Sequence, residues 1–519
     1  MHLTQMLNSA ASGTPNAKST QCSTRRRTWG ETRERVSRLA SALRERGVQP
    51  GDRVAILALN SDRYTEYYFS VWWAGAVAVP MNVRWSPAEN AYSLRDSGAE
   101  ILFVDAAFAA MIPAIQAEAP SLKTLIYLDD SETPDGMIGY EVLIDESSPC
   151  EDARRGGEDL AGLYYTGGTT GFPKGVMLPH RALWYNSLAI AKHIGIEHGD
   201  VYLHAAPMFH LADGAASGAA SIVGAGHVYI PAFNAEAALE AIESQGVTQT
   251  LMVPTMIGML LQHPQFSADR LRTLRTLIYG ASPMPQGLLR EALEKLPRVD
   301  FIQAYGQTEM APLVTVLPAE FHAPGRADAE KLRSAGRAGV GCEVRIVGED
   351  GADQPTGEVG EIVVRSPGCM QGYWNLPEQT ASTLVDGWVH TGDGAYRDEE
   401  GFIFIVDRLK DMIVTGGENV FSAEVESAIS THPAVAEVAV IGIPSEKWGE
   451  AVHAIVVPRK GADIVEAEII DHCKPLIANY KWPRSVAIRS ASLPLSGAGK
   501  VLKRQLRAPY WEDQERSVH

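Results

Sequence analysis

Short apolar runs alternate along the chain with stretches whose apolar positions recur every three or four residues. Thr28 and Glu31 have the spacing of a capping box, and Val36, Leu39, Ala40 and Leu43 follow at helical spacing as far as Gly47, predicting a helix. Residues 54–59 predict a strand, 64–73 a helix, and 76–79 and 101–104 two more strands. Farther on, 181–193 predict a helix, with strands at 228–230, 251–253 and 277–279. This alternation implies an α/β fold with parallel or mixed sheets and helices on both faces. Ligands of such folds collect at the carboxyl ends of strands, so segments that follow a strand are where chemistry is sought.

One such segment stands out. Thr166-Gly167-Gly168-Thr169-Thr170-Gly171-Phe172-Pro173-Lys174 follows the apolar run Leu163-Tyr164-Tyr165 and holds three glycines, three threonines and a lysine within nine residues. Glycine lets successive backbone N–H groups turn inward, the hydroxyls add donors, and the lysine supplies a point charge, which together suit a polyphosphate. The Walker spacing fails, because Lys174 lies between Pro173 and Gly175 rather than before a hydroxyl residue. The alternative is a flexible turn rich in Gly and Thr.

Charge narrows the partners. The 519 residues carry 63 acidic and 46 basic side chains, a formal net charge of -17, which argues against nucleic acid or an anionic membrane surface as the main partner. Five scattered cysteines without C-x-x-C spacing indicate neither a disulfide framework nor a zinc site. No apolar stretch of membrane-spanning length occurs and the N-terminus is polar up to Arg25-Arg26-Arg27, so a cytoplasmic setting is expected. The length calls for more than one core.

Four further segments carry candidate chemistry. Ala304-Tyr305-Gly306-Gln307-Thr308-Glu309 offers a ring for a base, a hydroxyl for a phosphate and a carboxylate for Mg²⁺, which prefers oxygen ligands. His390-Thr391-Gly392-Asp393-Gly394 sets an acid between glycines, fit for ribose hydroxyls or for a turn with a capping Asp. Residues 406–419 mix apolar residues with charges, as an exposed edge or a joint between two bodies would. Ser496-Gly497-Ala498-Gly499-Lys500 presents a lysine among glycines, which is either a functional cation or a solvated tail residue.

In order and spacing these segments resemble the adenylate-forming superfamily of acyl- and aryl-CoA synthetases, peptide-synthetase adenylation domains and beetle luciferases, from about residue 28 onward. The resemblance implies a large N-terminal domain over 1–407, a hinge at 408–410 centred on Lys410, and a small mobile α+β lid over 411–519. The lid's own pattern, with helices near 423–430 and 465–477 and strands at 435–441 and 454–457, agrees. It implies a carboxylic acid substrate, with ATP, Mg²⁺ and CoA: the acid forms an acyl-adenylate with loss of pyrophosphate, and a thiol then displaces AMP.

By the same resemblance, Thr166, Gly167, Gly168, Thr169, Thr170, Gly171 and Lys174 would cradle the β- and γ-phosphates. Gly280, Ala281, Ser282, Tyr305 and Gly306 would hold adenine and line the site. Thr308 would meet the α-phosphate and Glu309 the Mg²⁺, with Thr308 beside it as a second metal candidate. Asp393, with Arg408, would take the ribose, and Lys500 would bridge the carboxylate and the α-phosphate. Gly416 and Gly417 would flank the path of the pantetheine arm and Trp448 the CoA site. Many relatives carry serine where this chain has Gly168, which costs one hydroxyl donor and is expected to alter ATP affinity rather than abolish activity.

The acid pocket is expected to be apolar, lined by Leu211, Ala212, Gly214, Gly306, Met310 and Ala311, with His210 as a gate between the two steps. No cation stands out to pair with a second carboxylate. Asp213 lies where adenylation domains recognise an amino group, which leaves an amino acid substrate open. A CoA ligase acting on a fatty or arylalkanoic acid is the favoured expectation, with a stand-alone enzyme loading a carrier protein as the alternative. A homodimer is left open.

Overall fold

The computed structural model describes residues 1–167, 173–323, 330–496 and 501–511. Among the described residues, the larger part of the chain is built on two sheets. The first, of nine strands, runs in space from Arg337–Ala338 through Leu313–Leu317, Asp300–Gly306, Thr276–Gly280, Gln249–Met252, Val201–His204 and Gly226–Tyr229 to Lys18–Cys22 and Arg25–Thr28. The second, of eight strands, runs from Gly372–Tyr373 and Lys174–Pro179 through Leu160–Thr166, Val77–Pro80, Arg53–Leu57 and Ile101–Val104 to Thr124–Tyr127 and Ile138–Gly139. The central strands of both are parallel, as the alternation of strands and helices implies.

The helix Asp62–Ala74 is buried at every position because it lies between these sheets. Thr65 Oγ1 meets Tyr229 Oη at 2.7 Å on one side, and Tyr67 Oη donates to the Val54 carbonyl at 2.6 Å on the other. A helix walled on all sides needs apolar residues all round, and this one has six aromatic rings among its thirteen residues. Its two acids are buried as well. Asp62 takes Arg25 and Arg27 at 2.7 Å each, and Glu66 takes Arg35 at 2.8 Å.

The capping box of Thr28 and Glu31 opens the helix Trp29–Glu45 as expected. The segment before it, which reads as polar in sequence, also forms regular elements. Residues Thr4–Gly13 form a helix, and Lys18–Cys22 with Arg25–Thr28 form the hairpin that closes the edge of the nine-stranded sheet. Two arginines of the basic run answer buried acids that lie farther along the chain.

A smaller, β-rich C-terminal domain follows. Its sheet orders Glu418–Val420, Ile413–Thr415, Gly449–Pro458 and Val435–Ser445, with Ser485–Ile488 beside Gly449–Pro458. The helices Ser422–Ser430 and Glu466–Cys473 cover it around Val425, Ile429, Val440, Val452 and Ile469. A further five-stranded sheet, including Trp388–Arg397 and Ile403–Arg408, leads into it. Among the described residues, no helix is long and apolar enough to cross a membrane.

Candidate functional site

A cavity of about 1770 Å³ opens between the carboxyl ends of the strands and the C-terminal domain. The antiparallel pair Leu160–Thr166 and Lys174–Pro179 sets Thr166 opposite Lys174. Both line the cavity, as do Gly167 and Pro173. Gly168, Thr169, Thr170 and Gly171 lie outside the described residues. A strand pair that ends on a hydroxyl facing a lysine presents the two donor types a phosphate chain needs.

The opposite wall carries the short 3₁₀ turn Thr308–Met310. Glu309 Oε1 accepts a hydrogen bond from Tyr373 Oη at 2.9 Å, and the Lys174 ammonium lies 5.1 Å from the centre of the Tyr373 ring. Burial first, and then the Glu309 charge, push the Tyr373 phenol above its ordinary pKa, so it remains a donor. Tyr373 was not among the expected site residues. It sits 64 residues after Glu309, and nothing in its local pattern ties it to the carboxylate. Among the described residues, no group of three or more His, Cys, Asp or Glu side chains could hold a metal ion. One carboxylate with one oxygen already hydrogen-bonded fits a cation that takes its other ligands from phosphate oxygens and water, as Mg²⁺ does.

Where adenine is expected, Gly280 and Ala281 line the cavity, while Ser282 does not. A side chain at Gly280 would meet the Ala304 carbonyl at 2.1 Å and one at Gly306 the Pro312 carbonyl at 1.7 Å, so both strand ends are held bare. Asp393 faces Arg408 across a strand pair. Its Oδ1 accepts from Arg408 Nε at 2.7 Å, and its Oδ2 accepts from Tyr305 Oη and Gln307 Nε2 at 2.6 Å each. The carboxylate stands behind Tyr305, Thr391, Gly392 and Arg408, which form the cavity wall there. Ribose hydroxyls would share this acid with three protein donors. Gln307 was visible within its segment, but its side-chain role was not.

Part of the cavity lining, which includes residues of the helices His180–Ile194 and Leu211–Ile222, is mostly apolar. Ile190, Ile194, Leu251, Ile278, Ile302 and Val316 form much of its surface. His210 caps the second helix, its Nδ1 accepting from the Ala212 N–H at 3.2 Å, and also lines the cavity with Leu211 and Ala212. Gly214, Met310 and Ala311, expected in this lining, do not take part in it. Met310 and Ala311 are fully buried, their space taken by packing.

Asp213 is fully buried, bonded to His204 Nδ1 at 2.6 Å and to Tyr202 Oη at 3.3 Å. It bolts its helix to the strand Val201–His204 and has no face on the cavity. The expectation that it could meet a substrate amino group is corrected on that ground.

Of the lid residues, Lys500 lies outside the described residues. Leu495, Ser496, Val501 and Leu502, on either side of it, line the cavity, and Leu495 bridges to Val501. Arg84 Nη1 donates to the Ser496 carbonyl at 2.8 Å, holding this segment to the large domain. Gly416 and Trp448 are together, the Gly416 N–H donating to the Trp448 carbonyl at 2.8 Å, but neither they nor Gly417 line the cavity.

A family model described as AMP-binding enzyme matches residues 7–374, and one described as AMP-binding enzyme C-terminal domain matches 424–500. The chain is 40% identical over 483 residues to a feruloyl-CoA synthase of an Amycolatopsis species, covering 92% of this chain and 93% of that protein. It is 36% identical over 511 residues to the fatty acid–[acyl-carrier-protein] ligase ScoC of Streptomyces coeruleorubidus, covering 97% and 96%. The solved structure of ATP-bound MatB from Rhodopseudomonas palustris superposes with a TM-score of 0.88 at 31% identity, covering 98% of this chain and 99% of that one.

Proposed function

Because the chain belongs to the AMP-binding enzyme family, whose members here are adenylate-forming acyl and aryl acid ligases that use ATP and take CoA as co-substrate, we propose that it joins a fatty or arylalkanoic monocarboxylic acid to CoA. The observation that carries this is the shape of one continuous cavity. Thr166 and Lys174 line it, and among its described lining residues from Ile190 to Val316 there is no Lys or Arg. A second carboxylate there would be buried without a partner, at a cost of several kcal/mol, so dicarboxylates such as malonate should be poor substrates.

Thr166 and Lys174 would neutralise the phosphate chain, and Glu309 with Thr308 would hold Mg²⁺, which when bound supplies further positive charge there. The substrate carboxylate oxygen forms a bond to the α-phosphorus while the bond to pyrophosphate breaks. Lys500 would offset two anions pushed together. The thiolate of CoA then bonds to the acyl carbon and AMP leaves. No side chain need act as nucleophile, so what the protein supplies is alignment and charge. We place the domains at 1–407 and 411–519, with 408–410 as the hinge.

The similarity to ScoC favours a second reading, in which the acceptor is a carrier-protein thiol. One experiment separates the two: pyrophosphate release across a panel of acids, with CoA, with a phosphopantetheinylated carrier protein, and with neither. Thioester formed on free CoA supports the first reading. Thioester formed only on the carrier supports the second, and no adenylate from any acid rejects both.

A further inference from the structure

The apolar part of the lining contains one side chain that its apolar character does not explain. His193, on the last turn of the helix His180–Ile194, forms part of the wall beside Ile190 and Ile194. Its Nε2 accepts the backbone N–H of Val340 at 3.0 Å. We propose that His193 is a specificity-determining residue whose Nδ1–H donates to a neutral oxygen at the far end of the acid, so that the site takes acids bearing a distal hydroxyl, ether or carbonyl group. The inference rests on the acid-ligase reading of this cavity.

The tautomer follows from the bond to Val340. A nitrogen that accepts cannot also carry a proton, so a neutral ring must hold its proton on Nδ1. Burial, with Lys192 nearby, holds the His193 pKa below its ordinary value, so the ring is neutral near pH 7. Among the described residues no protein group bonds to Nδ1, and the ring is half-buried, with its bond to Val340 at an exposed position. A neutral donor suits a neutral acceptor and offers a second carboxylate no charge, which matches an apolar part of the lining free of Lys and Arg among the described residues.

Position agrees with this role. Gly339, next to Val340, donates to the Val314 carbonyl at 2.8 Å, and the neighbouring Leu313 pairs with Gly306 at the reacting end. His193 therefore contacts the chain about two strand spacings, roughly 10 Å, across the sheet from the Gly306 strand. That separation is of the size of an aromatic ring with its substituent. A bare hydrocarbon would cover Nδ1–H without satisfying it, and an uncompensated buried donor is costly. The shared chemistry is thus a distal oxygen, which an aryl acid or an ω-oxygenated fatty acid could supply.

The test compares matched acids that differ by that oxygen: para-hydroxycinnamate with cinnamate, and ω-hydroxydecanoate with decanoate. Adenylate formation is measured as kcat/KM for each. The wild-type protein should prefer the oxygenated member of at least one pair by roughly tenfold, and the pair that shows it identifies the source. His193→Leu should remove the preference while sparing the oxygen-free acid, and His193→Gln, which keeps an N–H donor, should restore part of it. Equal wild-type activity within both pairs overturns the inference without needing any variant. So does a preference that survives His193→Leu. Absence of adenylate with every acid would instead reject the ligase reading beneath it.

Discussion

Tyr373 and Glu309 meet across two chain segments, phenol to carboxylate at 2.9 Å, with the Lys174 ammonium above the same ring at 5.1 Å. One ring therefore positions both the acid proposed to hold the metal and the lysine proposed to hold phosphate. Tyr373→Phe keeps the ring under Lys174 and removes only the donor. A hydrogen bond to a charged acceptor is worth about 1.5–3 kcal/mol, so kcat/KM for ATP should fall about tenfold or more. The Mg²⁺ dependence should shift to higher concentration with little change in thermal stability. Pyrophosphate exchange titrated with Mg²⁺ measures this, and an unchanged Mg²⁺ midpoint would refute the positioning role.

Local signals carried the parts of this site that are contiguous in sequence. The capping box of Thr28 and Glu31 closes over three residues, and the Gly-Thr loop suggests phosphate chemistry because glycines, hydroxyls and a lysine are neighbours, although residues 168–172 lie outside the described ones. Contacts that span the fold were not legible. Nothing about Arg25 and Arg27 points to Asp62, and nothing about Asp213 reveals that it bonds to His204 rather than facing a substrate. Which way a side chain turns depends on the sheet it packs against, and that is decided by tertiary structure.

For Asp213 and His204 the structure predicts a role in stability. Asp213→Ala leaves His204 without its partner inside a fully buried chain that continues to His227 at 3.0 Å and Ser221 at 3.2 Å. Leaving a buried polar group without its hydrogen-bond partner costs about 1–3 kcal/mol, so the melting temperature should fall by a few degrees. An amino-group sensor would behave differently. Replacing it would leave stability near normal and alter activity only toward amino acids, which calorimetry and an amino acid panel would distinguish.

Stability should also fall as pH drops from about 6.5 to 4. His322 Nε2 meets Tyr279 Oη at 2.8 Å and Nδ1 meets the Pro318 carbonyl at 3.1 Å, and burial lowers its pKa to about 4. His180 is likewise held at about 4 by burial. A folded-state pKa below the unfolded value means the unfolded chain binds the proton first. The stabilisation is therefore present above about pH 6.5 and is lost as pH falls toward 4, up to about 3 kcal/mol for each group. Asp62 and Glu141 have lowered pKa values and act below this window. His322→Gln should flatten the dependence of melting temperature on pH between 6.5 and 4.5, and an unchanged slope would show that this histidine does not titrate there.

Lys500 is proposed to serve only the first step. Lys500→Ala should cut adenylate formation by about 10²–10³-fold, the scale seen when one preorganised donor to developing charge is removed. It should still pass an acyl group from a synthetic adenylate to CoA. Equal loss in both assays would count against the assignment.

The last prediction concerns how one cavity serves both steps. The flanks of Lys500 line it now, while Gly416, Gly417 and Trp448 do not, so the thiol proposed to arrive beside them needs the C-terminal domain to turn. The joint is narrow. Asp407, on the last strand of the large domain, accepts the Ser422 backbone N–H at 2.6 Å and also its hydroxyl. Lys503 holds the same hydroxyl at 2.5 Å and Glu426 at 2.7 Å. Between Asp407 and Ser422 the chain makes the 3₁₀ turn Leu409–Asp411, closed by the Met412 N–H on the Arg408 carbonyl at 3.1 Å. A rotation centred on Lys410 must change its φ and ψ, and proline fixes φ near about -65°. That value suits a 3₁₀ turn, so Lys410→Pro should keep the present arrangement and most of its adenylate formation. Thioester formation should fall by an order of magnitude or more. Ser422→Ala weakens the contact across the joint and should leave adenylation slower and thioester formation no worse, the opposite split. Single-turnover transfer from preformed adenylate decides between them, since near-normal transfer by a folded Lys410→Pro protein would mean that the C-terminal domain turns about some other residue.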